Sequence, residues 1–258
     1  MPTTLTLAFD AAIATITLSR PEKRNAISPQ MIDELLAALD EIETGAARVA
    51  IITGAGKAFC AGMDLEALSA LAAFSHEQNL EDSRRMARLF RRLYFFPKPL
   101  IAAVNGAAIA GGTGIATMCD FTLAVPEAKF GYTEVKIGFI PALVSVFLRR
   151  QIGEKRARDL LLTGRIFDAT EAHAFGLVTQ IIPADILLSR ARELATSLLS
   201  ASPTSLMRTK LLLWRSAEVE IDREIELAVQ ENAAIRSTAD FKEGLATFLE
   251  KRPPNWSS

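Results

Sequence analysis

The chain opens with two runs in which apolar and polar residues alternate, Leu5 to Phe9 and Ile13 to Ser19, around Asp10-Ala11. A period of two on either side of a turn reads as an antiparallel hairpin. After the charged loop RPEKRNAISPQ the period changes. Met31, Leu35, Leu36 and Leu39 recur at helical spacing behind Ser28-Pro29, a cap and first-turn proline, which predicts a helix to about Glu43. Val49 to Thr53 is a short buried strand. The glycine-broken loop GAGKAFCAGMDL follows, and Asp64 can cap a helix starting near Leu65. Glu77 to Phe96 is helical again. Its apolar members Met86, Phe90 and Leu93 share a face, Arg84, Arg85, Arg88, Arg91 and Arg92 cover much of the remainder, and Pro97-Lys98-Pro99 ends it.

From Leu100 to Phe121 the sequence runs LIAAVNGAAIAGGTGIATMCDF. An apolar strand, Leu100 to Val104, meets Asn105-Gly106; small residues lead to Gly111-Gly112 and a helix-compatible run from Thr113 to Met118. Glycines at a helix start let a ligand oxygen approach the first free N–H groups, where the helix dipole favours negative charge. Phe121 to Val125 is another strand. Pro141 to Arg150, Lys155 to Leu162 and Thr170 to Phe175 read as helices, and Val178 to Ile182 as a short strand. No strand pattern follows Pro183. Strands alternating with helices argue for an α/β core, and the helices from Pro203 to about Glu250 for a helical appendage. The division expected is 1–195 for the core and 196–258 for the C-terminal subdomain.

Composition adds exclusions. A chain of 258 residues, 50% hydrophobic and 23% charged, with net charge -1, has no broad basic field for nucleic acid. The alternating N-terminus lacks the form of a signal peptide, no window is long and apolar enough for a membrane span, and the two cysteines, Cys60 and Cys119, fit a reducing compartment. A cytoplasmic protein without membrane or nucleic-acid partners is the expectation. With two histidines and no CxxC or HExxH, no metal site is expected.

The candidate chemistry narrows by elimination. A phosphate-binding loop would need glycine at Ile51 and a hydroxyl at Ala58, and a dinucleotide fingerprint would need glycine at Phe59, so an NAD-dependent oxidoreductase is a weak alternative. No GxSxG motif supports nucleophilic catalysis, and Cys60 is more simply a buried side chain. What remains is two strand-to-helix junctions, at Gly62-Met63 and Gly111-Gly112, each able to present a backbone N–H. Two converging donors can stabilise an enolate oxygen. Taken singly, each is more simply read as a tight turn, and as a pair in a β/α chain that reading weakens. The acid–base candidate is Glu134 in AKFGYTEVKIGFIPA, whose pKa would rise if it were buried; a surface glutamate beside Lys136 is the plainer reading. Met63, Leu68, Phe74, Met86, Phe90, Phe139 and Val144 could line an acyl pocket or belong to the core.

The segments RPEKRNAIS, GAGKAFCAGMDL, AAVNGAAIAGG, CDFTLA, AKFGYTEVKIGFIP, LLTGRIFDATEAHAFGLV and EGLATFLEKRPPNW, in this order, resemble the enoyl-CoA hydratase/isomerase (crotonase) superfamily. They are most similar to its bacterial branch related to methylglutaconyl-CoA hydratases. The resemblance implies a spiral core of ββα units with C-terminal helices that build a homotrimer or hexamer. It implies an oxyanion hole from the N–H groups of Met63 and Gly111, with Glu134 as acid–base. It also implies contacts to coenzyme A, carried as part of the substrate and not as a separate cofactor, from Lys23, Arg24, Ala26, Ala61, Asp64, Leu65, Phe248 and Lys251. Hydratases of the best-known type carry a second glutamate where this chain has Gly114. Hydration across a 2,3 double bond is therefore expected from one carboxyl. Movement of a double bond between positions 3 and 2, and a silent acyl-CoA-binding protein, stay open.

Overall fold

The structure is a computed structural model that describes residues 2–256. The opening hairpin forms as the alternation predicts, β1 (Leu5–Asp10) antiparallel to β2 (Ile13–Leu18). The first helix, α1 (Pro29–Thr44), starts at Ser28, whose hydroxyl accepts the Met31 N–H at 3.2 Å. It buries Met31, Ile32, Leu35, Ala38, Leu39 and Ile42, while Leu36 lies at the edge of that face.

Three ββα units follow. The first is β3 (Val49–Gly54), β4 (Ala58–Cys60), and the helices α2 (Leu65–Ala70) and α3 (His76–Tyr94). The second is β5 (Leu100–Val104), β6 (Ala107–Ile109) and α4 (Gly111–Met118). The third is β7 (Phe121–Ala124), β8 (Lys129–Gly131), a 3-10 turn at Glu134–Ile137, and the helices α5 (Ala142–Ile152) and α6 (Glu154–Thr163). Then come β9 (Ile166–Asp168), α7 (Ala169–Phe175), β10 (Gln180–Ile181) and α8 (Leu187–Leu199). The chain finishes with α9 (Pro203–Arg215), α10 (Glu218–Ile235) and α11 (Ala239–Glu250).

The first strand of each unit joins a six-stranded sheet, ordered β1-β2-β3-β5-β7-β10, parallel except for the opening hairpin. Its central strand, β5, is buried throughout, as unbroken apolar strands covered on both faces are. The second strand of each unit joins a smaller sheet, β4-β6-β8-β9, in which β4, β6 and β8 run parallel and β9 antiparallel. This is the spiral of ββα units that the resemblance implies. The hydrophobic pattern does not show the second sheet, because its strands have three residues each, too few to display alternation.

Of the C-terminal helices, α8 packs on the large sheet, α10 lies against α3 and α5, and α11 packs against the 134–137 turn. The division drawn at residue 195 falls inside α8, and the break in the helical run comes at Ser200–Ser202. The arginines of α3 are neutralised within the chain. Arg91 is held by Asp222 at 2.7 Å and by Glu218, Arg92 by Asp40 and Glu43, and Arg85 and Arg84 lie within 3.8 Å of Asp33 and Glu226. Among the described residues no helix is long and apolar enough to cross a membrane.

Candidate active site

Three neighbouring parallel strands of the small sheet each end just before one of the predicted site groups. β4 ends at Cys60, three residues before Met63; β6 ends at Ile109, two before Gly111; β8 ends at Gly131, three before Glu134. Adjacent strands lie about 4.8 Å apart, so groups just past the same ends of three of them converge on one small volume. The carboxyl ends of parallel strands are where open α/β sheets collect ligand-binding groups.

The first junction is held by a single parallel bridge between Ile27 and Met63. Ile27 N–H donates to Gly62 at 2.7 Å and Asp64 N–H to Ile27 at 2.8 Å, which turns the Met63 N–H the opposite way. Gly62 has φ 89°, and a Cβ there would stand 3.0 Å from the Ile109 carbonyl oxygen, so the two junctions touch at this point. At the second junction Ala110 sits at φ 49°, ψ −119°, strained for a residue with a side chain. Its own N–H donates to Gly131 at 2.7 Å, and its carbonyl accepts from Gly114 at 3.0 Å. Gly112 backs onto β4, where any side chain would overlap the Cys60 carbonyl. Neither the Met63 N–H nor the Gly111 N–H has an acceptor among the described residues.

Glu134 begins the 3-10 turn and is half-buried as a residue, but its Oε2 is out of reach of solvent and has no hydrogen-bond partner among the described residues. Burial pushes its carboxyl up to about 7, against a small opposing pull from its own backbone N–H. The plainer expectation of a surface glutamate paired with Lys136 is overturned, since Lys136 points to solvent and forms no ion pair with it. The turn is held from outside by the C-terminal helices. Phe139, whose N–H donates to the Glu134 carbonyl at 3.1 Å, packs on Phe241 of α11 with ring centroids 5.5 Å apart, and the Arg236 guanidinium lies 5.3 Å from the Phe139 ring centre.

The candidate pocket residues divide into two groups. Met63, Leu68, Phe74 and Phe139 meet in a small apolar cluster with Leu71, Phe241 and Leu245, separate from the main core. Met86, Phe90 and Val144 belong to that core. Phe90, only 3% exposed, explains the glycine at 114, since a Cβ there would lie 2.5 Å from the ring's Cζ. A second carboxylate is thus missing at this position, and Phe90 occupies the room it would need.

The predicted coenzyme A residues fall into two places. Lys23, Arg24 and Ala26 lie beside Ala61, Asp64 and Leu65 through the Ile27–Met63 bridge and the Ala61 N–H to Arg24 carbonyl bond of 3.0 Å. Arg24 is exposed and Leu65 is 53% exposed, both open to a ligand. Asp64 has a different part: it is 4% exposed, caps α2 through the Glu66 N–H at 2.9 Å, and binds Arg20 at 2.6 Å. Lys23 pairs with Glu66 at 2.7 Å. Phe248 and Lys251 sit on the exposed end of α11, and no hydrogen bond or ion pair among the described residues joins them to the 20–26 loop.

Two further residues matter that the motifs did not single out. Arg20 ties the 20–26 and 61–65 segments together, donating to the Ala26 carbonyl at 2.7 Å and to Asp64. Asn25 is wholly buried at φ 56° and holds Ala55 and Ala58 through its amide. An asparagine, which tolerates the left-handed region, inside a turn-prone loop was the available signal for it.

The sequence profile of the enoyl-CoA hydratase/isomerase family matches residues 8–258. The chain belongs to that family. A relative from Thermus thermophilus named "Putative enoyl-CoA hydratase" is 48% identical over 245 residues, 95% of this chain and 97% of that one. The 2,3-dehydroadipyl-CoA hydratase of Escherichia coli K12 is 35% identical over 93% of each chain. Among solved structures, an enoyl-CoA hydratase from Mycobacterium avium superposes with a TM-score of 0.88 at 33% identity, covering 100% of both chains. The family membership, the α/β spiral fold and an enzyme of the hydratase/isomerase type therefore stand together.

Proposed function

We propose that this family member adds water across the 2,3 double bond of an enoyl-CoA thioester, with Glu134 as its only acid–base. The observation that carries the reading is a buried carboxyl with an unpartnered Oε2, poised near neutrality, just past the end of β8, with the two strands before it in the sheet order, β4 and β6, leading to unengaged N–H groups. The ionised carboxyl takes a proton from water as the resulting hydroxide adds to C3. The displaced electron pair moves through C2 to the thioester oxygen, which the Met63 and Gly111 N–H groups hold as an enolate. Collapse of the enolate returns the pair to C2, which takes the proton from Glu134, and the carboxylate is regenerated. A group whose pKa lies near the working pH serves as both base and acid in such a sequence. Hydratase names among the relatives support the hydration reading.

A second reading, isomerisation of a 3-enoyl to a 2-enoyl ester, is favoured by one specific observation. Phe90 fills the space beside Gly114, so no side chain at that position can hold a water. One carboxyl moving a proton from C2 to C4 needs no such partner. In both readings the exposed Arg24, with Lys23, would meet the phosphates of coenzyme A.

Crotonyl-CoA, 3-hexenoyl-CoA and 3-methylglutaconyl-CoA incubated with the protein in deuterated water, with products read by mass spectrometry, decide between them. Hydration predicts gain of one water by a 2-enoyl or glutaconyl ester, and Glu134→Gln slower by at least about 100-fold. Conversion of the 3-enoyl ester without added water would install the second reading. Tight binding of every ester with no product at all would overturn both and leave a silent acyl-CoA-binding protein.

A further inference from the structure

Thr113, in the first turn of α4, is 1% exposed, and its hydroxyl does not face a ligand. It lies 2.5 Å from the Ala108 carbonyl of β6 and accepts the Gly131 N–H of β8 at 3.1 Å. The single hydroxyl proton goes to the nearer Ala108 carbonyl, with the Gly131 carbonyl a second acceptor at 3.1 Å, and a lone pair takes the Gly131 N–H. One turn further on, Thr117 donates to the Thr113 carbonyl at 2.7 Å, so the 2.7 Å contact between Thr117 Oγ1 and the buried Tyr132 hydroxyl has Tyr132 as donor. These bonds fall on Gly131 and Tyr132, just ahead of Glu134, and the α4 end of the same seam lies two residues after Gly111.

We propose that the Thr113–Thr117–Tyr132 seam positions the two halves of the site against each other, with Thr113 as its principal member. The inference rests on the reading of Gly111 as an enolate donor and Glu134 as acid–base. Two local facts make such a device necessary. The residue before the donor, Ala110, holds a strained backbone conformation that persists only where its surroundings over-determine it. Its N–H bond to the Gly131 carbonyl is one restraint, and Thr113 fixes that same glycine through its N–H. The second fact is that β6 and β8 pair over only two residues, Ala108 with Phe130 and Ile109 with Gly131. So short a ladder leaves their ends free to splay unless a side chain crosses them. Misplacement of about 1 Å between an enolate donor and an acid–base is enough to cost about 100-fold in rate.

The test compares Thr113→Val, which keeps the shape and loses both hydrogen bonds, with Thr113→Ser, which keeps the bonds and loses a methyl. With the substrate turned over by the wild type, Thr113→Val is expected to lower kcat at least about tenfold with KM within about threefold, and Thr113→Ser to stay within about threefold in both. Normal kcat in folded Thr113→Val, or equal losses in the two variants, overturns the proposal. If Thr113→Val does not fold, Tyr132→Phe decides: a kcat at least about threefold lower with unchanged KM supports the seam, and unchanged kcat overturns it. Glu134→Gln run alongside separates the two levels of inference. If Glu134→Gln is fully active, the acid–base reading falls; if it is inactive while Thr113→Val is normal, only the seam does.

Discussion

Glu134→Gln should remove the chemistry and strengthen the fold, and the gain should depend on pH in a way the structure dictates. The carboxyl rises from its ordinary 4.5 to about 7 because it is buried, with Oε2 unpartnered and only its own backbone N–H pulling the other way. Unfolded, it titrates near the ordinary value, so between about pH 4.5 and 7 the folded chain binds the additional proton. The wild type is therefore most favoured, as far as this group is concerned, below about pH 4.5, and it loses that contribution as pH rises through 7. At about 1.4 kcal/mol per unit, and allowing for solvent around the half-buried residue, the full loss is about 2–3 kcal/mol. Glutamine has a similar shape and does not titrate. Urea unfolding of both proteins at pH 5, 6, 7 and 8 should show a stability difference that is small at pH 5 and grows by about 2–3 kcal/mol in favour of the variant by pH 8. A difference that is flat across this range, or that shrinks as pH rises, would mean the carboxyl is solvated or paired, and the acid–base reading would lose its physical basis. A residue whose removal stabilises a protein while abolishing turnover is one retained for function.

Gly114→Ala should destabilise by about 1–3 kcal/mol through overpacking against Phe90, and Phe90→Leu in the same chain should recover most of it; urea unfolding of the two variants checks this, and an unaffected Gly114→Ala would place the ring elsewhere. Arg20→Met should raise KM for the CoA ester several-fold while leaving kcat within about twofold, because Arg20 fixes the 20–26 and 61–65 segments and touches none of the reacting groups. It should also destabilise by about 2–4 kcal/mol at pH 7, since Asp64 is left buried with Lys23 only at 3.6 Å. Against the cost of burial, the guanidinium holds the Asp64 carboxyl below its ordinary 3.8, so this loss should persist down to about pH 4 and fade only as pH falls on through the lowered pKa of the folded chain. Steady-state kinetics at pH 7 and unfolding at pH 7 and at successively lower pH below about 4 measure both effects, and a matching fall in kcat would contradict the assigned role.

What could be read in the sequence follows from the range of the interaction behind each feature. The hairpin, the α1 helix with its Ser28 cap, and the Asp64 cap all rest on neighbours a few residues away, and all form where the pattern places them. The strands of the small sheet do not show in the pattern, since Ala107–Ile109 is only three apolar residues whose strand character comes from pairing with β4 and β8. The same limit applies to the chemistry. Gly111 could be picked out because a glycine pair opening a helix has a local meaning. Glu134 could be singled out by its apolar surroundings and by the family resemblance, but its burial could not be seen, because Phe241 and Arg236, which pack on the nearby Phe139, lie about a hundred residues further along the chain. Arg20 binding Asp64 across 44 residues is another instance.

These two limits have one cause. Met63, Gly111 and Glu134 each follow a strand of three residues, and such a strand acquires its place only when the whole spiral has closed around it. A longer strand would carry its own register in alternating side chains. Here register depends on groups that cross from one element to the next: the Ile27–Met63 bridge beside β4, and the Thr113 hydroxyl between β6 and β8. The large sheet could tolerate substitutions that preserve apolar volume in its inner strands, because β3 and β5 are longer and buried on both faces. The small sheet has less redundancy. On the proposed roles, a single lost crossing bond there should shift a donor relative to the acid–base without unfolding the chain, so substitutions in it should lower turnover well before they lower stability.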